Sequence, residues 1–129
     1  MKLNKTEDYA ILILSFLSKE DRVVSVTEIC RSLNLPIPFT RKILNMLLKQ
    51  KLVKGVEGSN GGYELVSNIE NLSLYDILEK IGYQIAITKC VNSSCVAASV
   101  CLTKSVLQKL NDQIILKFRE IKMKDFMIN

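Results

Sequence analysis

The chain has 129 residues, 48% of them apolar, and no low-complexity run, enough for one folded domain of ordinary size with its own core. It has no histidine and no tryptophan, which excludes histidine-dependent acid–base chemistry and the commonest nitrogen ligand for metals. Residues 1–55 hold ten Lys/Arg against five Asp/Glu, whereas residues 56–129 hold eight of each; the net charge of +5 therefore sits wholly in the N-terminal half, as an electrostatic footprint for phosphates requires.

The first helix is expected from about Thr6 to Ser18, with Glu7 and Asp8 suited to the positive helix N-terminus. Ala10, Ile11, Leu12, Ile13, Leu14, Phe16 and Leu17 make it apolar nearly all round, so it should be buried on most sides. This longest apolar run, Tyr9 to Leu17 broken by Ser15, is too short to span a bilayer. The start MKLNKTEDYA lacks the apolar core of a secretory signal. A cytoplasmic protein without a membrane partner is the expectation.

Ser25 with Glu28 three residues on has the capping-box form and should open a second helix ending near Leu33. Asn34-Leu35-Pro36 breaks the chain, and Pro38 suits the first turn of a third helix reaching about Lys51. In that helix Phe39, Ile43, Met46 and Leu47 form one apolar face, while Thr40, Arg41, Asn45 and Lys49 form the other. Two short helices across a tight break, the second with a polar and basic face, form a helix-turn-helix pattern. Leu52–Val56 and Tyr63–Val66 read as strands around the glycine-rich turn 58–62, a hairpin wing. Ser73 with Asp76 should cap a short helix from Leu74 to Ile81, stopped at Gly82. The last helix, about Leu102 to Lys122, carries Leu107, Leu110, Ile114, Phe118 and Ile121 on one stripe, for which a second subunit is the expected partner.

The expected fold class is therefore mainly α with a small β-hairpin wing: a winged helix-turn-helix domain over residues 1–68, then a cysteine segment and a long C-terminal dimerisation helix over residues 69–129. The candidate DNA-contacting residues are Pro38, Phe39, Thr40, Arg41, Lys42 and Asn45 on the third helix and Ser59, Asn60 and Gly61 at the wing tip. Arg41 is the first choice for a base reader because its guanidinium can fork onto guanine, with Thr40 beside it; Lys42, Asn45 and Lys49 suit phosphates. The competing reading of this surface is a solvated helix face in a protein–protein module.

Cys90, Cys95 and Cys101 fall within twelve residues. Thiolates so closely spaced suit an iron–sulfur cluster or zinc, with redox-active thiols or plain packing as alternatives. Three are one short of the usual four ligands; the fourth would be a carboxylate, another oxygen donor or a small molecule, with Asp8 and Glu7 as candidates against a simpler role at the helix N-terminus. Cys30, inside the second helix, reads as a small buried residue. No nucleotide loop, nucleophile–base pair or paired carboxylates suggest an enzyme.

Taken together, Met1-Lys2-Leu3 with Asp8-Tyr9-Ala10, Leu35-Pro36 through Lys42-Ile43-Leu44, Leu52-Val53, the wing Gly58 to Leu65, and the three cysteines followed by Leu102-Thr103 resemble the IscR/NsrR/CymR family of winged helix-turn-helix transcriptional regulators, the Rrf family. The resemblance covers almost the whole chain. It implies a homodimer on an imperfect palindromic DNA operator, acting most often as a repressor, with an iron–sulfur cluster that reports iron–sulfur status, nitric oxide or redox stress. Cluster-free members also exist, so the alternative is a thiol-redox or effector-responsive regulator of the same fold. The chain departs from the family in three places. The first cysteine gap is four residues, where well-known members have five. Lys104 stands where the cluster-assembly regulator has a histidine. Glu57 replaces a common wing arginine. The nitric-oxide-sensing branch uses an aspartate that matches Asp8, donated from the other subunit, which implies Cys90, Cys95, Cys101 and Asp8 as ligands and favours a 4Fe–4S over a 2Fe–2S cluster.

Overall fold

Among the described residues the chain forms six α-helices, a 3-10 turn and one hairpin. The computed structural model describes residues 2–88 and 102–127; the expected ligands Cys90, Cys95 and Cys101 lie outside the described residues. Helix α1 spans Lys5–Glu20, α2 Val26–Leu33 and α3 Ile37–Lys49. Strands β1 (Val53–Val56) and β2 (Gly62–Leu65) pair antiparallel, Val53 opposite Leu65 and Val56 opposite Gly62. A 3-10 turn at Ile69–Asn71 leads into α4 (Leu74–Lys80), and α5 (Lys104–Glu120) and α6 (Met123–Met127) complete the order. No helix among the described residues is long and apolar enough to cross a membrane.

Helix α1 lies between two apolar clusters, which is why its sequence is apolar nearly all round. Ala10, Ile13, Leu14 and Leu17 enter the main core with Val24, Ile29, Ile43, Leu44, Leu47 and Leu52. On its other side Ile11 packs on a smaller cluster built from Leu74, Leu78 and Ile85. Leu12 alone departs from the expected burial, at 40% exposed. Ile69, Ile77 and Met123, from the second half of the chain, complete the main core. The reading helices thus share their interior with the elements that follow residue 68.

The expected stripe on α5 is split. Ile114 and Phe118 turn inward onto the smaller cluster. Leu110 is 51% exposed, as are Val106 (64%) and Leu116 (50%) elsewhere on the helix. Part of the stripe therefore has its partner within the chain, and the outer face is the one left uncovered. Helix α6 was not foreseen in the sequence. It returns the chain to the main core, where Met123 is fully buried and its N–H donates to the Leu72 carbonyl at 2.9 Å.

The cap of α4 is as expected from sequence. The Asp76 N–H donates to Ser73 Oγ and the Ser73 N–H to Asp76 Oδ2, each at 3.0 Å. The Ser73 amide, then its hydroxyl, hold the Asp76 carboxyl below its ordinary value, helped by Lys122 and Arg119. A depressed folded-state pKa contributes stability above the unfolded value of about 3.9, which is lost as pH falls through the lower folded value. Asp76→Asn is accordingly expected to destabilise the protein at pH 7 by a few tenths to about 1 kcal/mol. In urea melts at falling pH the gap from wild type should close below about pH 4; a gap that stays constant from pH 7 to pH 3 contradicts this.

Candidate nucleic-acid interface

Local chemistry builds the helix-turn-helix. Ser25 Oγ accepts from the Glu28 N–H at 3.2 Å, opening α2. The reciprocal half of the expected box is not formed, because the Glu28 carboxylate is held by Arg22, which also bridges to Glu20 at 2.9 Å. Asn34 ends α2 in the left-handed region (φ 54°), a conformation open to asparagine, and the Leu35 N–H follows it back to the Cys30 carbonyl at 3.0 Å. Pro36 caps α3, and Pro38 sits in its first turn, where a missing N–H loses nothing. Cys30 is buried at 7% exposure inside this motif, as expected of a packing residue.

Helix α3 turns Thr40, Ile43, Leu44 and Leu47 inward and leaves Pro38, Arg41, Lys42, Asn45 and Lys49 exposed. Thr40 corrects the expectation that it reaches base edges. It is fully buried and its hydroxyl donates to the Pro36 carbonyl at 2.9 Å, so this β-branched residue seals the first turn of α3 against the core. Phe39 is also committed to packing: half-buried, its ring stands edge-on to Tyr9 with centroids 5.5 Å apart. The exposed polar residues divide between two flanks. Arg41 faces the wing across a cleft of about 650 Å³ that Ser25, Thr27, Leu48, Gly58 and Ser59 also line. Lys42, Asn45 and Lys49 rim a second cleft of about 440 Å³, which Thr6 of α1 closes.

The wing is docked at its base. Val24 and Tyr63 exchange both backbone hydrogen bonds at 2.8 Å, tying β2 to the residue just before α2. This approach leaves no room for a side chain at Gly62, where a Cβ would lie 2.2 Å from the Val24 carbonyl oxygen. Gly62→Ala should therefore undock the wing and lower stability by about 1–3 kcal/mol; an unchanged melting temperature and unchanged Val24 amide exchange would contradict this. Gly61 is equally enclosed, 2.1 Å from the Val56 oxygen for an added Cβ, so its place at the tip is conformational. Ser59 and Asn60 stand exposed. Lys54 pairs with Glu64 across the hairpin at 3.9 Å and Glu57 is exposed, so the uncompensated positive charge belongs to α3 and not to the wing.

At the start of α1 the two acidic residues separate. Glu7 Oε2 accepts from the Asn4 N–H at 2.9 Å and is engaged in capping. Asp8 is exposed and its carboxylate has no hydrogen-bond or ion-pair partner among the described residues. This end of the chain lies near the approach to the cysteines, since the Tyr83 hydroxyl donates to the Lys2 carbonyl at 2.8 Å. Among the described residues no group of three His, Cys, Asp or Glu side chains could hold a metal ion. Two contributors were missed in the sequence. Thr27, in the cleft with Arg41, was foreshadowed only by its place at the start of a helix. Asn111 carried no signal of its own, being one of three side-chain amides on α5 with Gln108 and Gln113.

The profile of the Rrf2 family, described as an iron-dependent transcriptional regulator, matches residues 3–129. The chain is 23% identical over 134 residues to the HTH-type transcriptional regulator NsrR of Halalkalibacterium halodurans, covering 100% of this chain and 92% of that protein. Its fold is similar to that of CymR, the global cysteine regulator of B. subtilis, with TM-score 0.80, 20% identity, and 98% of this chain and 96% of that one covered. It is also similar to that of T. potens IscR, with TM-score 0.74, 22% identity, and coverage of 98% and 86%. The mainly α fold with a hairpin wing and a long C-terminal helix is thus that of winged helix-turn-helix regulators.

Proposed function

The chain belongs to the Rrf2 family of transcriptional regulators, and on that premise we propose that it is a homodimeric repressor whose operator affinity is set by an iron–sulfur cluster at Cys90, Cys95, Cys101 and Asp8. The observation that carries this reading is the set of three thiols within twelve residues, in a family described as iron-dependent. The donor set fits such a group. Thiolates are the usual ligands of iron–sulfur clusters, and the exposed, unengaged Asp8 is better suited to the fourth position than Glu7, whose carboxylate caps α1. The resemblance of this ligand set to that of the nitric-oxide-sensing branch favours the 4Fe–4S form. When bound, the cluster supplies redox chemistry and, by its loss, a change of charge and order at its ligands.

The chain's own residues do the rest. Residues 1–68 form the reading part, with Arg41 at base edges, Pro38, Lys42 and Asn45 near the backbone, and Ser59, Asn60 and Gly61 following the groove edge. Thr40 and Phe39 hold α3 in place from behind. Residues 69–129 form the sensing and dimerisation part, in which the outer face of α5 meets its copy. Two recognition helices on a palindrome must fit successive major grooves, so a small change in their spacing changes affinity steeply.

Anaerobic purification with iron and sulfide analysis, a visible spectrum and a gel shift test this together. Wild type is expected to be brown and to hold iron, and Cys95→Ala to be colourless with altered operator affinity. Wild-type protein that takes up no iron even on reconstitution overturns the cluster. If that colourless protein instead changes affinity on thiol oxidation, the cluster-free thiol regulator replaces it.

A further inference from the structure

Among the described residues three polar side chains are buried: Thr40, Ser73 and Asn111. The first two bond within their own helical turns, four and three residues away. Asn111 reaches across the fold. It lies at the middle of α5, 1% exposed, on the face that carries Ile114, Ile115 and Phe118 inward. Its Oδ1 accepts from the Ile87 N–H at 3.0 Å and its Nδ2 donates to the Ile85 carbonyl at 3.4 Å, spanning 24 and 26 residues. The side-chain amide thus acts as a neighbouring strand's peptide group for alternate residues of the 85–87 backbone. An amide taken out of water is unfavourable without such partners, so a leucine would serve the core as well if packing were all this position did. The segment it holds runs directly on to Cys90, three residues after Ile87.

Beyond its C-terminal end α5 is tied to α4 and, through α6, to the core behind the reading helices. The Leu74 N–H donates to the Ile121 carbonyl at 2.8 Å, and Met123 is fully buried in the core shared with α1 and α3. From Asn111 to Glu120, where α5 ends, is nine residues, about 13 Å of helix. Helix α5, continued through Ile121 and Lys122 into α6, therefore connects the backbone before the first cysteine to the core behind the recognition helix, as a physical route for coupling requires.

We propose that Asn111 is a positioning residue that couples the cysteine segment to operator affinity, by pinning the backbone of Ile85–Ile87 to α5. This rests on the regulator reading above. The residue touches neither the cluster nor the DNA; it transmits between them. Removing the amide leaves the cluster ligands and the reading residues intact but uncouples them.

The test uses full-length wild type, Asn111→Leu and Asn111→Ala, each cluster-free and after anaerobic reconstitution with iron and sulfide. The probe is a duplex selected from a random library by the wild-type protein. Two quantities are read: exchange of the Ile87 amide in the cluster-free form, and the ratio of operator Kd between the two forms. Wild type should show a ratio in the usual range for coupled sites, about 5–150-fold. Asn111→Leu should bring that ratio to within about threefold of one while the cluster spectrum persists and Ile87 exchange accelerates. A purely structural role shifts melting temperature and both Kd values together and leaves the ratio intact, which overturns the proposal. So does Ile87 exchange that is equally fast in wild type and variant. If Asn111→Leu does not fold, Asn111→Ala decides by the same two readouts. A wild-type ratio of one sinks the cluster-sensing reading and this inference with it, whereas a wild-type ratio that survives the substitution sinks this inference alone.

Discussion

A Val106→Glu, Leu110→Glu double variant is expected to sediment as a monomer and to lose operator affinity by about 10²–10⁴-fold, the gain that joining two binding modules typically provides. The reason lies in the two faces of α5. The inner face has its partner in α4, but Val106 and Leu110 stand 64% and 51% exposed one helical turn apart, and Leu102, just before the helix, is 92% exposed. A stripe of that kind is favourable only when covered, and a two-fold axis lets the same stripe on a second copy cover it. Glutamate is a good helix former and both positions face outward, so α5 itself should persist while two pairs of like charges meet at the interface. Analytical ultracentrifugation and fluorescence anisotropy on a full palindrome and on a half-site check this. A variant that remains dimeric places the contact elsewhere. A monomer that keeps full affinity on the palindrome removes the need for a dimer at all.

Arg41→Ala should weaken operator binding by about 1–3 kcal/mol, roughly 5–150-fold, and relax selectivity at one base position of each half-site. Arg41 is the one cation of the exposed α3 residues that faces the wing-side cleft; Lys42 and Lys49 lie on the other flank. It also sits in the N-terminal part of the helix, the part that enters the major groove in helix-turn-helix proteins. Its fork of donors is matched to guanine, and lysine cannot reproduce it, so Arg41→Lys should lose selectivity nearly as far as alanine does. The bland alternative is a phosphate contact. That outcome weakens all sequences alike and lowers the slope of log K against log salt by about one. Binding-site selection with wild type and variant, repeated at two salt concentrations, separates the two.

What the sequence determined by itself is the chemistry that acts within about four residues. Ser73 with Asp76 declares its cap because donor and acceptor are three positions apart, and Asn34 through Pro38 declares the helix-turn-helix break because each residue restricts its own backbone. The glycines of the wing, the charge confined to the first half and the spacing of the three cysteines are likewise visible in the chain alone. Only the tertiary structure decided which way ambiguous residues turn. Thr40 satisfies either face of α3 on periodicity, and its burial follows from α3 packing against α1 and α2 on its inner side. Glu28 carries the letter of a capping box, but Arg22 offers its carboxylate a charged partner in place of an amide. The stripe on α5 counts as one in sequence and is two in space, since α4 covers its inner side and nothing among the described residues covers the outer. Asn111 is the clearest case. Its partners lie 24 and 26 residues away, and no local pattern marks which distant backbone groups a buried amide will meet; that is settled when α5 closes onto α4 and brings Ile85 and Ile87 within hydrogen-bonding reach.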